Sequence, residues 1–528
     1  MKKYIFAVLL LTTAACTKDF EEINRNPFSP TQTDIGPLFN AAIAGLQLGW
    51  SEQLYLYNER LYGVTQLAAK FAVGFDNVSI GAEEIWQSTY FGLGQLREIE
   101  RRIEEKSETQ DPETFNNISA QVKILTAYRM FRLTDLFGDI PFFEAGKGVQ
   151  GTENLRVPFD RQEDIYKFLL EELKWADENI RLAGEAVTAD GTVYESLGAF
   201  DNLLQNDMLR WRKFANSLRL RHALRMAEKD PDFAYPILAD IIENDLPVIE
   251  DGEDVVMLPA AQNWRNEGVN WSFREHKKLR MGSNIWSQLS SNDSLDGSGI
   301  YDPRARVWFE TNNAGDWVPF PQNPTEDTPA EGGIPYQEHR VVSYNVKGAD
   351  NLFSPVNYYL IRDEKDIPEI ILTSAEVHFA KAEVYLRGLG VVENTAAAEG
   401  AYTTGTVASV SFWQNIAQNS EFWTNKPPFL DVGQVFAVVN SPEIEIFTAD
   451  NKLERIYQQR WLDHFRQPWE AYALMRRTDY QTPLEGEAAE HFRFTYPQSE
   501  AENNPNNWQT QVTLMGADAE NVKVWWMR

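Results

Sequence analysis

The sequence predicts a mainly α fold: a tetratricopeptide-like helical scaffold that carries one large irregular, loop-rich region. Three observations predict it. Long runs repeat apolar residues at helical spacing and end in capping residues or Gly-Pro stops. Those runs fall into pairs whose contact faces are small or aromatic, although no clean 34-residue period runs through the chain. Between them, residues 250–368 are rich in Gly, Pro, Asn and aromatics and show little helical period.

The N-terminus reads as an address. Lys2 and Lys3 precede the apolar run Ile5–Leu11, which is too short to span a bilayer. Thr13-Ala14-Ala15-Cys16 then resembles a bacterial lipobox, with Cys16 as the lipid acceptor; Thr13 stands where lipoboxes carry Leu. Residues 1–15 are therefore expected to be a signal peptide and 16–34 a lipidated tether, Pro- and Asn-rich in its later part. Residues 35–528 form the body. Its scaffold covers about 35–249 and 369–480, the irregular insertion about 250–368, and a C-terminal segment 481–528. A secretory signal with an incidental cysteine is the alternative. Cys16 is the only cysteine, so no intrachain disulfide can form.

Ile35–Val73 reads as one or two helices. Glu83–Lys106 is another, with Ile85, Trp86, Phe91, Leu93, Leu96 and Ile99 as core positions. Asn116–Phe137 follows the 3–4 spacing and stops at Gly138, before Asp139-Ile140-Pro141. Asp160–Arg181 comes next, then Met208–Met226 paired with Phe233–Asn244. Thr373 and Glu376 open a helix at Ile371–Arg387 as a capping box, and Gly388 closes it. Leu453–Met475 is expected to be one last helix.

Met208–Met226 contradicts its chain. It holds six cations and no acid, while the whole sequence carries a formal charge of −29. Such a helix can contact a polyanion. The overall negative field argues against nucleic acid. Met208, Trp211, Phe214, Ala215, Leu218, His222 and Met226 share one stripe, and Leu209, Leu220, Ala223 and Leu224 lie opposite. Apolar on two sides, it is expected to be an internal scaffold helix, its arginines paired with carboxylates and Trp211 and Leu218 at the seam.

Catalytic signatures are missing: no H-E-x-x-H, G-x-S-x-G, Walker loop or G-x-G-x-x-G occurs. Asn292–Gly297 imitates the start of a calcium loop, but position twelve is Pro303 where a bidentate Glu is needed; no cofactor is expected. Paired carboxylates among 78 acids keep a secreted glycoside hydrolase as an alternative. Sugar binding needs flat aromatic faces beside hydrogen-bonding groups. Trp86 and Tyr90, spaced i, i+4 with Gln87 between them, could form such a platform. Trp264, Trp271 and Trp317 each sit beside polar neighbours in the irregular region, where loops on a rigid frame concentrate binding residues. Trp413 and Trp423, in loop-like surroundings, could instead touch a partner.

Several stretches together resemble the SusD/RagB family of Bacteroidetes outer-membrane lipoproteins, in its SusD-like branch. They are YRMFRLTDLFGDIPFFEA at 128–145, WRKFANSLRLRHALRM at 211–226 and TSAEVHFAKAEVYLRG at 373–388. QRWLDHFRQPWEAYALMRRTD at 459–479, FTYPQSEAENNPNN at 494–507 and the closing KVWW complete the ordered set. Thr17-Lys18-Asp19-Phe20-Glu21-Glu22 resembles the surface-export tag of such lipoproteins. The resemblance implies a non-catalytic protein, lipid-anchored at the outer membrane and surface-exposed. It would capture oligosaccharide, or peptide in RagB-like cases, and hand it to a SusC-like TonB-dependent transporter.

Overall fold

Apolar periodicity and capping place most of the chain in paired helices. The computed structural model describes residues 34–70, 77–148, 151, 155–182, 193–250, 252–257, 279–329, 351–362, 367–420, 423, 425–480 and 491–528. The first helix, α1 (Ile35–Ala44), is followed by a π-helical stretch, Glu52–Leu61, and both pack on α2 (Val78–Ser107). Next come α3 (Asn116–Phe137) against α4 (Gln162–Asn179), and α5 (Met208–Met226) against α6 (Pro231–Glu243). After the irregular region, α7 (Ser374–Arg387) packs on α8 (Thr395–Asn419), with the short α9 (Val432–Val439) beside α8. The last scaffold pair is α10 (Lys452–Asp463) and α11 (Pro468–Thr478), and α12 (Gln498–Asn503) and α13 (Pro505–Met515) close the chain.

Caps explain the boundaries. Asp207 accepts the backbone N–H groups of Leu209 (3.0 Å) and Arg210 (3.1 Å), which starts α5. Gly138 and Gly388 end α3 and α7 at φ +82° and +61°, a region that costs L side chains energy. The capping box on α7 is only half made. Thr373 Oγ1 accepts the Glu376 N–H at 3.1 Å, but the Glu376 carboxylate is taken by Arg221 and Arg460.

That exchange belongs to a buried charge network centred on α5. Arg221 Nε donates to Glu376 at 2.8 Å, and its Nη1 reaches Glu470 at 3.4 Å. Arg225 bridges Asp135 on α3 and Glu470 on α11. Arg212 and Arg219 pair with Asp177 and Asp240 at 2.7 Å each, and Lys213 with Glu253 at 2.8 Å. Trp211 and Leu218 are fully buried. The basic helix is thus internal, as its two apolar sides require. Burial pushes the Glu470 carboxyl up, but Arg221 and Arg225 outweigh it and hold the group below its usual range.

The structure corrects four expectations. Leu453–Met475 is two helices, not one, because Pro468 cannot donate in a helix interior and instead opens α11. The surroundings of Trp413, read as loop-like, are a 25-residue helix, Thr395–Asn419. Trp413 lies inside it, buried edge-on against Trp308 at 5.5 Å, and Trp423 stacks on Tyr359 at 5.3 Å; neither offers a free face to a partner. Phe91, placed in the core, is exposed. Two short antiparallel pairs tie the irregular region to the scaffold. Ala69–Lys70 joins Leu279–Arg280, and Val255–Met257 joins Glu369–Leu372 with a register shift after Val255.

Candidate functional site

On α2 the buried stripe is Ala82, Ile85, Trp86, Thr89, Leu93, Leu96 and Ile99. At 100° per residue, Phe91 lies roughly 150° from its centre, on the face with Gln87, Gly94, Gln95 and Glu98. This outer face forms one wall of a cleft of about 620 Å³, within the size range of small-ligand sites. Residues 141–148 with Leu155 and Val157, and the segment 499–504, form the other walls, and Leu38 also lines the cleft.

Local chemistry fixes each wall. Ile140 pairs with Asp160 in an isolated bridge, and Asp160 Oδ2 accepts the N–H groups of Phe142 (2.8 Å) and Phe143 (2.9 Å). Gly146, at φ +82°, lets the loop lie on α2; a Cβ there would stand 3.0 Å from Leu93 and 3.1 Å from Arg97. The C-terminal wall is stitched to the same loop. Asn504 Nδ2 donates to Val157 O at 2.8 Å, and Tyr496 OH donates to Asp139 O at 2.7 Å.

Trp86, Gln87 and Tyr90 all line this cleft, but not as the platform their spacing suggested. Trp86 is only 4% exposed. Its ring packs among Tyr90, Phe137, Phe159 and Tyr496, and its indole N–H bonds Glu500. Tyr90 is tilted 58° to it and donates its hydroxyl to Pro141 O at 2.7 Å. Burial lifts the Tyr90 phenol well above its ordinary range, so it remains a donor. Gln87 is exposed and donates to Glu83 at 2.5 Å. The free apolar faces belong to Phe91 (71% exposed) and Leu155 (64% exposed). Neither was among the candidates, although the helical wheel of α2 carries the signal for Phe91.

Trp317 is elsewhere and 6% exposed, stacked on Trp286 at 6.0 Å with Arg306 over its ring. It stiffens the irregular region. Trp264, Trp271 and Cys16 lie outside the described residues. At the calcium-like stretch, Asn292 and Asp296 accept the N–H groups of Ser294 and Ser298 at 2.9 Å each, and Asp293 accepts the Trp286 indole at 3.2 Å. These contacts make a polar turn. It borders a larger cleft of about 1170 Å³ lined by amides and carboxylates. The tyrosines there, Tyr301, Tyr457 and Tyr480, are buried or half-buried.

The cleft carboxylates are already engaged. Arg101 Nη2 and Arg102 Nε hold Glu98 at 2.7 Å each, and its pKa falls to about 2, chiefly through the Arg101 hydrogen bond. Glu500 accepts from Asn504 at 2.7 Å; burial raises its pKa. The arrangement can hold a ligand through apolar faces, amides and hydroxyls.

A family model described as starch-binding and associating with the outer membrane matches residues 27–497. A SusD-like protein P2 from Formosa agariphila is 25% identical over 199 residues, which is 34% of this chain; the chain spans 38% of that relative's length. Two solved structures share the fold. A SusD homologue from Parabacteroides distasonis superposes with a TM-score of 0.71 at 20% identity, over 94% of this chain and 98% of that one. A chitin-binding protein gives a TM-score of 0.70 at 22% identity, over 94% and 100%. Among the described residues no helix is long and apolar enough to cross a membrane.

Proposed function

The chain belongs to the SusD-like family, described as starch-binding and associating with the outer membrane, and from that membership we propose that it captures oligosaccharide at the cell surface for a SusC-like TonB-dependent transporter. A lipid on Cys16 anchors it. The observation that carries the reading is the exposed Phe91 face, set in a ligand-sized cleft beside Gln87, Gln95 and Asn503. A pyranose offers C–H patches to an aromatic ring and hydroxyls to flanking amides. Relatives of the same fold include one named as chitin-binding, which supports a saccharide over a peptide.

The reading is non-catalytic. Glu98 is tied up by Arg101 and Arg102, so Glu500 lacks the free second carboxylate that glycoside hydrolysis needs beside it. Glycan and peptide arrays test the ligand class: saccharide binding is expected, and binding of peptides alone would sink the proposal. Incubation with a bound glycan should release no new reducing ends. Cys16→Ala should remove the protein from the membrane fraction, and retention there would count against the anchor.

A further inference from the structure

The short helix α9 is apolar on both faces, and only one of them is covered. Its sequence, VGQVFAVV, holds no charged residue. Val435 and Val439 turn inward onto Val407 and Val410 of α8, and Leu430, just before the helix, packs beside them as a hydrophobic staple. The opposite face carries Val432 and Phe436, one turn apart, with Phe429 ahead of them. These three are 73%, 45% and 63% exposed.

The exposed face is held in place. Asp431 Oδ1 accepts the Gln434 N–H and Gln434 Oε1 accepts the Asp431 N–H, at 2.9 Å each, a complete capping box. Gln414 and Gln418 of α8 donate to Leu430 O (3.0 Å) and Pro427 O (2.8 Å), which fixes the approach to the helix. A contiguous exposed apolar surface marks a contact site, and apolar residues at i and i+4 on a fixed helix are the anchors by which a helix seats in a groove.

Charge decides among the occupants. Residues 425–451 contain four acids, Asp431, Glu443, Glu445 and Asp450, against one cation, Lys426, which donates to Gln418 O. A helix that lies in a lipid surface carries Lys or Arg on its polar face, and α9 has neither. A second copy would set the same acids against themselves across a two-fold axis, in a chain of formal charge −29. The occupant that fits is a different protein, apolar at the centre of its contact surface and basic around it.

On the reading that this chain serves a SusC-like transporter, we propose that α9 is where the transporter docks. Val432 and Phe436 seat in an apolar groove, and cations of the transporter face Asp431 and the acids that follow the helix. The test is affinity purification of the tagged, full-length lipoprotein from solubilised outer membranes of its own cells, with mass spectrometry identifying and quantifying the transporter recovered. The double variant Val432→Asp, Phe436→Ala should recover at least about tenfold less. Its melting temperature should be unchanged, because both side chains are exposed. Asp431→Asn keeps the cap and removes one charge, so it should lower recovery about twofold, and only at low salt. Parental recovery by the double variant, or by Asp431→Asn at low salt, would overturn the inference. So would a dimer of the unlipidated Cys16→Ala chain in sedimentation, or its binding to anionic phospholipid vesicles, if the double variant abolished either; the face would then belong to a second copy or to lipid. A parent chain that recovers no transporter would instead overturn the reading on which the proposal rests.

Discussion

Trp86 and Phe91 sit five residues apart on one helix and have opposite roles. The indole fills a space between four aromatic rings, so Trp86→Ala should cost about 3–5 kcal/mol in denaturant titrations. Phe91→Ala removes an exposed ring and should change stability by no more than about 0.5 kcal/mol. A large loss of stability from the second variant would mean that Phe91 packs in solution. Glu369 is the other residue whose surroundings decide its behaviour. Its carboxyl is buried and, among the described residues, accepts only the Leu48 N–H, at 3.1 and 3.2 Å. Burial raises its pKa from 4.5 to about 8. A raised folded-state value means that the neutral form favours folding. That stability is present below pH 4.5 and is lost as pH rises through 8. Glu369→Gln should therefore melt higher than the parent at pH 9, with the gap closing towards pH 5; a constant gap would contradict this.

At the scale of elements, α5 shows how a basic helix becomes a core helix. Leu218 is fully buried at the seam, so Leu218→Asp, an unpaired buried charge, should prevent folding. Circular dichroism of that variant showing native helix content would refute the packing described. The ion pairs around α5 differ in weight according to burial. Glu470 serves Arg221 and Arg225 with all three side chains nearly inaccessible. Glu470→Gln should then destabilise by about 3–5 kcal/mol. Arg212 is 30% exposed at its pair with Asp177, and Arg212→Ala should cost under about 1 kcal/mol. Equal losses in a chemical melt would show that burial does not set their value.

Across the whole molecule, one apolar cluster runs from Ile35 to Met527, and the chain end closes it. The buried Trp526 indole donates to Asp135 at 2.8 Å, where Arg225 and Tyr166 also converge. Deleting residues 522–528 removes that donor and the buried side chains of Val524 and Met527. The truncated chain should unfold at a markedly lower denaturant concentration, with Trp fluorescence and circular dichroism shifting together. An unchanged midpoint would show the end to be dispensable. A second set of contacts, Asn504 to Val157 and Tyr496 to Asp139, joins the 499–504 wall to the opposite one, so the cleft needs both chain halves.

What the sequence determined by itself was local. The limits of Asn116–Phe137 and Met208–Met226 were legible because apolar period and the Gly138 stop are read within a few residues. The internal place of α5 was legible because a helix apolar on two sides has to be covered on both. Trp86, Gln87 and Tyr90, singled out from their spacing, do come together along one cleft. The exposed face of their helix was not identified. An aromatic at i+5 from another aromatic can face either way until something packs on one side. Here Phe137, Phe159 and Tyr496, drawn from three distant segments, bury Trp86 and leave Phe91 facing solvent. Trp317 failed as a candidate for the same reason, since its polar neighbours in sequence conceal the stacking of Trp286 in space. Tertiary structure alone decided which aromatics are walls and which are filling, because burial depends on contacts between segments that no local pattern encodes.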